Sequence, residues 1–323
     1  VLDVLAITGP IYFVAAAGWL CTRAGLFARA DMRVFGKYVL NLALPALLFN
    51  ALSQRSVAEV FHPVFLAAYA LGSVATLLAG VLWARRVHGK GMDAAGVMGM
   101  GMSCPNNAFI GFPVVALLFG PVNAGIALAL VMIVENLLTI PLALALADSD
   151  PGDAAAGESR ARRLRTAMLQ SLHAVARNPM IWGIAAGFVF SLFGWRLAAP
   201  VARTVDIFAA ACASLSLFVI GGSLVGIHLQ AYARDAAAIA VGKLVLHPLL
   251  VLCAVLLMPP MARELQVALV VMSSVPMLGI YPILAQKHGQ ETMAAAAQLA
   301  TTVASFFTLT LMIWGVRSVL PPP

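Results

Sequence analysis

Charge is what this chain has least of. Asp, Glu, Lys and Arg make up 10% of its 323 residues, while 62% are hydrophobic. An ordinary soluble domain is about a quarter charged, so a water-exposed globular surface is excluded. Polar connections are equally scarce. The longest runs from Asp148 to Arg177, too short for an appended soluble effector domain. Cysteine is limited to Cys21, Cys104, Cys212 and Cys253. They show no CxxC or His-paired spacing, so neither a disulfide framework nor a metal site is expected, and all four read as small buried hydrophobes. No nucleophile–base pair or phosphate cradle occurs, and Gly99-Met-Gly-Met-Ser103 reads as helix packing. Neither an enzyme nor a cofactor is the expectation.

Long apolar runs are what the chain does have. Stretches long enough to cross a bilayer recur along nearly its whole length, which predicts an all-α polytopic membrane protein. Ten spans are expected, at about 4–22, 36–53, 62–84, 94–119, 122–147, 178–195, 204–228, 235–258, 264–286 and 292–316. The first has no basic stretch before it and no cleavage-like site after it, so it reads as a retained helix. The net charge of +7 reports orientation, not a nucleic-acid partner. With the N-terminus outside, one set of loops carries 14 of the 20 Lys and Arg; the other side carries Arg55, Arg196, Arg203, Arg263 and Arg317. The richer side is expected to be cytoplasmic, with both termini on the extracytoplasmic side of the cell inner (plasma) membrane.

Two of these spans are broken by proline. The first break reads Ser-Cys-Pro-Asn-Asn-Ala-Phe-Ile-Gly-Phe-Pro from Ser103 to Pro113, and the second Ser-Val-Pro-Met-Leu-Gly-Ile-Tyr-Pro from Ser274 to Pro282. Proline inside a helix costs about 3 kcal/mol or more. Irregular backbone at membrane depth survives only inside protein or against a water-filled cavity. Paired interruptions in corresponding halves point to a transporter's binding site.

Shifting the chain by 169 residues aligns its halves without a gap. Pro10 meets Pro179, Gly18 meets Gly187, Leu48-Phe49 meets Leu217-Phe218, Pro113 meets Pro282, Gly120 meets Gly289 and Thr139 meets Thr308. Five spans per half is an odd number, so the second half must be inverted. Two inverted five-helix repeats, 1–147 and 178–323, are therefore expected, with broken helices 4 and 9 crossing near the midplane. Residues 148–177 become a cytoplasmic linker. There Leu164, Met168, Leu172 and Val175 share a helical face opposite Arg160, Arg162, Arg163 and Arg165. An amphipathic helix on the inner leaflet and a plain positive-inside loop fit this pattern equally.

Pro113 and Pro282 are placed where second half-helices would begin, and their N-termini, partially positive, suit a carboxylate. Pro105, Gly111, Pro276 and Gly279 complete the breaks. Asn106 and Asn107 offer amide donors to a substrate carboxylate, or caps for freed carbonyls. Tyr281 is the matching polar group in the second break, and Asn50 is a further candidate contact. Glu135, followed by Asn136, is the only acidic residue deep in a span; Lys243 lies at similar depth in span eight. A buried charge there is functional by default. Glu135 reads either as a site for a coupling H+ or Na+ or as the structural partner of Lys243. Asn41, His247, Gln298, Thr301, Thr302 and Ser305 are weaker candidates, explained as well by helix packing.

At these residues the chain resembles the auxin efflux carrier family, within the wider group that includes bile acid:sodium symporters. The resemblance rests on Pro105-Asn106-Asn107-Ala-Phe-Ile-Gly111-Phe-Pro113 and on Pro276 to Pro282 with Ala285 and Gly289. Asn41-Leu-Ala-Leu-Pro45 with Phe49, and Lys243 with Pro248, also fit. It spans essentially the whole chain. It implies a scaffold domain (spans 1, 2, 6, 7) beside a moving transport domain (spans 3–5, 8–10), and an elevator-type carrier of organic anions such as malonate, malate or auxin. The family's substrate-contacting asparagine matches Asn106. The short linker departs from plant auxin carriers, so regulation through a large phosphorylated loop is not carried over. The expected partners are a small organic anion and the lipid bilayer, with a homodimer through the scaffold helices left open. A sodium-coupled symporter of larger bile-acid-like anions is the alternative within transport, and a non-transporting membrane sensor on the same fold the alternative outside it.

Overall fold

The computed structural model describes residues 2–56, 60–149, 176–225 and 233–319. The expected amphipathic segment of the linker lies outside them. Among the described residues the fold is all-helical, and the single β-bridge pairs Pro105 with Met277. The helices are α1 (Leu2–Arg23), α2 (Arg29–Tyr38), α3 (Leu44–Ser53), α4 (Pro63–His88), α5 (Met92–Ser103), α6 (Phe112–Val134), α7 (Ile140–Ala147), α8 (Pro179–Phe193), α9 (Ala199–Ser223), α10 (Ala233–Val241), α11 (His247–Leu257), α12 (Arg263–Ser274), α13 (Tyr281–Gln286) and α14 (Glu291–Val319). Among the described residues, six helical stretches are long and apolar enough to cross a membrane: Arg29–Ser53, Pro63–His88, Asn107–Ala147, Ala199–Ser223, Ala233–Leu257 and Glu291–Val316. The 41-residue stretch is bent at Gly120 (φ 81°, ψ 161°), just before Pro121, where a left-handed backbone suits glycine.

Among the described residues, three π-helical turns join helices end to end and a fourth opens the helix after the first break, and each has the same cause. Val39–Ala43, Asn107–Gly111, Glu135–Thr139 and Gly242–Leu246 all stop two residues before a proline: Pro45, Pro113, Pro141 and Pro248. Proline supplies no N–H, and its ring clashes with the carbonyl four residues back. Widening the preceding turn relieves the clash. In each case the N–H just before the proline bonds five residues back, as Ile140 does to the Glu135 carbonyl.

Two sets of close helix contacts stand out, with one hydrophobic core running between them. In one, α1 lies against α9 and α3 against α8 and α9. Small residues permit these approaches, as expected where apolar lipid removes most of the hydrophobic drive. A Cβ on Gly18 would collide with the Phe218 carbonyl, and one on Gly187 would lie 2.8 Å from the Leu52 Cβ and 3.2 Å from the Phe49 carbonyl. In the other group α4 packs on α5 and α11, α5 on α7, and α10 on α14. The cysteines divide as well: Cys104 and Cys212 are buried, Cys21 is half-buried, and Cys253 lies exposed on the surface of α11, contrary to the expectation that all four are buried.

Candidate functional site

The two breaks meet. Between α5 and the next helical turn, residues 104–106 run extended beside residues 276–278. The Asn106 N–H donates to the Pro276 carbonyl (2.7 Å) and the Leu278 N–H to the Cys104 carbonyl (3.0 Å). Each break thus satisfies backbone groups that the other has freed, groups that would each cost several kcal/mol unpaired in hydrocarbon. Pro105 forms the bridge itself with Met277.

The helix resumes at Asn107, six residues earlier than the expected start at Pro113. Asn106 caps it: its Oδ1 accepts from the Phe109 N–H (3.4 Å), and its carbonyl accepts from Ile110 and Gly111. Pro113 instead sits one turn further in and forces the π turn. In the second break the helix resumes at Tyr281 with Pro282 second, as expected, but α13 is only six residues long. Two equivalent helix N-termini therefore do not face each other.

Asn106 and Asn107 point to different surroundings. Asn106 is 5% exposed, and among the described residues its Nδ2 makes no hydrogen bond. Asn107 is wholly buried, its Nδ2 donating to Glu135 Oε1 (2.7 Å) and to the Tyr69 hydroxyl (3.2 Å). The Tyr69 hydroxyl donates to the same Oε1 at 2.6 Å. The Asn107 Oδ1 lies over Gly111, where a Cβ would come within 2.5 Å of it. A second buried cluster sits beside the first. Lys243 Nζ donates to the Ser273 carbonyl (2.6 Å) and lies 3.0 Å from His247 Nδ1; His247 Nε2 lies 3.0 Å from the Ser73 hydroxyl. Glu135 and Lys243 form no ion pair with each other. They belong to neighbouring clusters joined by α4, which carries Tyr69 and Ser73 one turn apart. Asn107, Glu135 and Lys243 all lie within π turns.

Other expected residues lie apart from this centre. The Tyr281 hydroxyl is buried and donates to the Val97 carbonyl (3.0 Å). Asn50 donates to Asp206 (2.7 Å), tying α3 to α9 on an exposed face. Asn136 and Asn41 bond back to the carbonyls of Met132 and Lys37 in their own helices. Thr301, Thr302 and Ser305 likewise bond within α14. Tyr69 and Ser73 were not singled out from the sequence. Their signal was a polar series at Tyr69, Ser73 and Thr76 along one face of an otherwise apolar span. Among the described residues no group of three His, Cys, Asp or Glu side chains is placed to hold a metal ion.

Repeated apolar helices, with paired breaks that bury an amide, a carboxylate and an ammonium, define a multi-pass membrane protein of the transporter class. The profile of the family described as "Membrane transport protein" matches residues 6–314, and the chain belongs to that family, the auxin efflux carriers. It is 25% identical over 311 residues to "Uncharacterized transporter YfdV" of Escherichia coli (strain K12), covering 94% of each chain. It is 27% identical over 324 residues to "Putative malonate transporter" of Rhizobium meliloti (strain 1021), covering 98% of this chain and 97% of that one. An "Uncharacterized transporter" of Methanothermobacter thermautotrophicus is 24% identical over 239 residues, covering 72% of each.

Proposed function

We propose that this protein is a secondary active carrier of a small carboxylate, of the malonate or malate kind, which binds where the two breaks meet and crosses by an elevator movement. The observation that carries the reading is Asn106: a carboxamide with an uncommitted donor, held by backbone pairing between two interrupted helices. The Rhizobium relative's name supplies the substrate class. Inverted repeats are supported by a contact that exchanges under the 169-residue shift: Gly18 abuts the Phe218 backbone, as Gly187 abuts that of Phe49. Gly120 and Gly289 also share the left-handed conformation after each break, at φ 81° and 65°. The α1, α3, α8 and α9 group would form the scaffold, and the elements around Glu135 and Lys243 the moving body. Glu135 is the proposed site of H+ or Na+ coupling, since it is buried without a direct cationic partner. The cytoplasmic face would be the arginine-rich one, in the inner membrane. Uptake of radiolabelled malonate and malate into proteoliposomes, under imposed pH or sodium gradients, tests the reading. Gradient-dependent uptake supports it, and failure to move any small carboxylate sinks it.

A further inference from the structure

Gly279, in the second break, has open space beside it. Outside its chain neighbours, a Cβ built there would meet only two atoms within 4 Å: Asn106 Nδ2 at 3.8 Å and Gln298 Nε2 at 4.0 Å. These nitrogens come from different elements, the first break and α14. Each is a carboxamide donor with two hydrogens. The Gln298 nitrogen donates to the carbonyls of Gly279 (3.1 Å) and Leu278 (3.4 Å), the second bond beyond the usual N–H···O length. Gly279 is exposed and Gln298 half-buried, so the space can be reached from outside the core.

We infer that Gln298 is a second substrate-binding residue, and that the space over Gly279 receives a carboxylate of the transported anion between the carboxamides of Asn106 and Gln298. The inference rests on the organic-anion reading above. Two donors from different elements offer one N–H to each carboxylate oxygen, Gln298 exchanging its longer bond to the Leu278 carbonyl for the anion, at the 2.7–3.2 Å typical of such bonds. Gln298 stands out from the polar residues after it on the same face of α14. Thr302 donates to the Gln298 carbonyl and Ser305 to the Thr302 carbonyl, both at 2.7 Å, so neither hydroxyl reaches across. The buried ammonium of Lys243 is committed to Ser273 and His247. The anion would thus be held by neutral donors, an arrangement that favours release as well as capture.

The test uses the full chain purified in detergent. Malonate, malate and indole-3-acetate are screened for thermal stabilisation of the wild type, and the strongest ligand is titrated against variants. Gly279→Ala fills the space without crowding, since no atom lies closer than 3.8 Å and Gly279 is not left-handed. The expected result is an unliganded melting temperature near wild type for Gly279→Ala and Gln298→Ala, with binding weakened roughly 10- to 100-fold, the scale of one lost bond to a charged group. Gln298→Glu, similar in shape but anionic, should bind least. If Asn106→Ala loses binding while the Gly279 and Gln298 variants bind as wild type, the inference fails and the site at the breaks stands. If Asn106→Ala also binds as wild type, or no carboxylate stabilises the wild type, the anion reading fails and the inference with it. Should Gly279→Ala lower the unliganded melting temperature, the Gln298→Ala and Gln298→Glu pair decides.

Discussion

Adjacent asparagines in the first break do different work. Asn106 caps the resumed helix with its oxygen, and among the described residues its nitrogen makes no hydrogen bond. Asn107 is consumed by Glu135 and Tyr69. Asn106→Ala should therefore abolish malonate uptake while lowering stability by only about 1 kcal/mol, the usual loss of a cap. Normal uptake by that variant would reduce Asn106 to a backbone cap. Asn107→Ala should be the more destabilising of the two, because it leaves Glu135 short of a donor in a fully buried site. Unfolding of both variants in detergent, followed by intrinsic fluorescence, gives the comparison. At Glu135 the missing ion pair separates two outcomes. Glu135→Gln should preserve ligand binding and remove the response of uptake to a pH or sodium gradient. If Glu135 and Lys243 instead compensate each other through the intervening side chains, each single neutralisation should destabilise, and the Glu135→Gln, Lys243→Met double variant should recover stability. An active, stable Glu135→Gln protein with unchanged ion dependence would remove the coupling role.

The elements show why some of this was legible in the sequence and some was not. The breaks were legible, because Pro105 and Pro276 each stand amid long apolar runs where regular helix is otherwise obligatory. Where the helix restarts was not: Pro113 suggested an N-terminal proline, whereas the restart is set six residues earlier by Asn106, whose backbone is fixed by Pro276 from the other half. That partner is 170 positions away, and no local pattern reports it. The π turns were half legible. Pro45, Pro141 and Pro248 are plain in the sequence, but the turn each forces is recognisable only once the helix is seen to continue through it. The consequence for Glu135 can be measured. Pro141→Ala removes the reason for the wide turn at Glu135–Thr139, so a regular helix should re-form there. Glu135 would then rotate away from Tyr69 and Asn107. Uptake should fall at least tenfold while helicity by circular dichroism stays constant or rises; full activity would mean the turn does not position the carboxylate.

At the scale of the whole molecule, α1, α3, α8 and α9 are held together by backbone-close contacts at Gly18, Gly183 and Gly221, and the proposed elevator has the parts that carry Glu135 and Lys243 move past them. Gly18→Ala places a methyl against the Phe218 carbonyl. It should lower stability by about 1–3 kcal/mol, the range for overpacking, and Gly187→Ala should do the same if the halves are related as proposed. Movement between the two bodies can be arrested chemically. Gly36 has both the Phe109 ring and Val219 at 3.9 Å from the place of its missing Cβ, so the first break and α9 come together over it. With Cys21, Cys104, Cys212 and Cys253 replaced, a bifunctional thiol reagent joining Phe109→Cys to Val219→Cys should stop uptake without blocking ligand binding. Joining Asn50→Cys to Asp206→Cys, whose parent side chains already touch at 2.7 Å within the other group, should leave uptake intact. Equal inhibition by both links would mean that the whole bundle flexes during transport. Inhibition by neither would mean that the two groups do not move past each other, and the elevator movement would have to be abandoned for a gate local to the breaks.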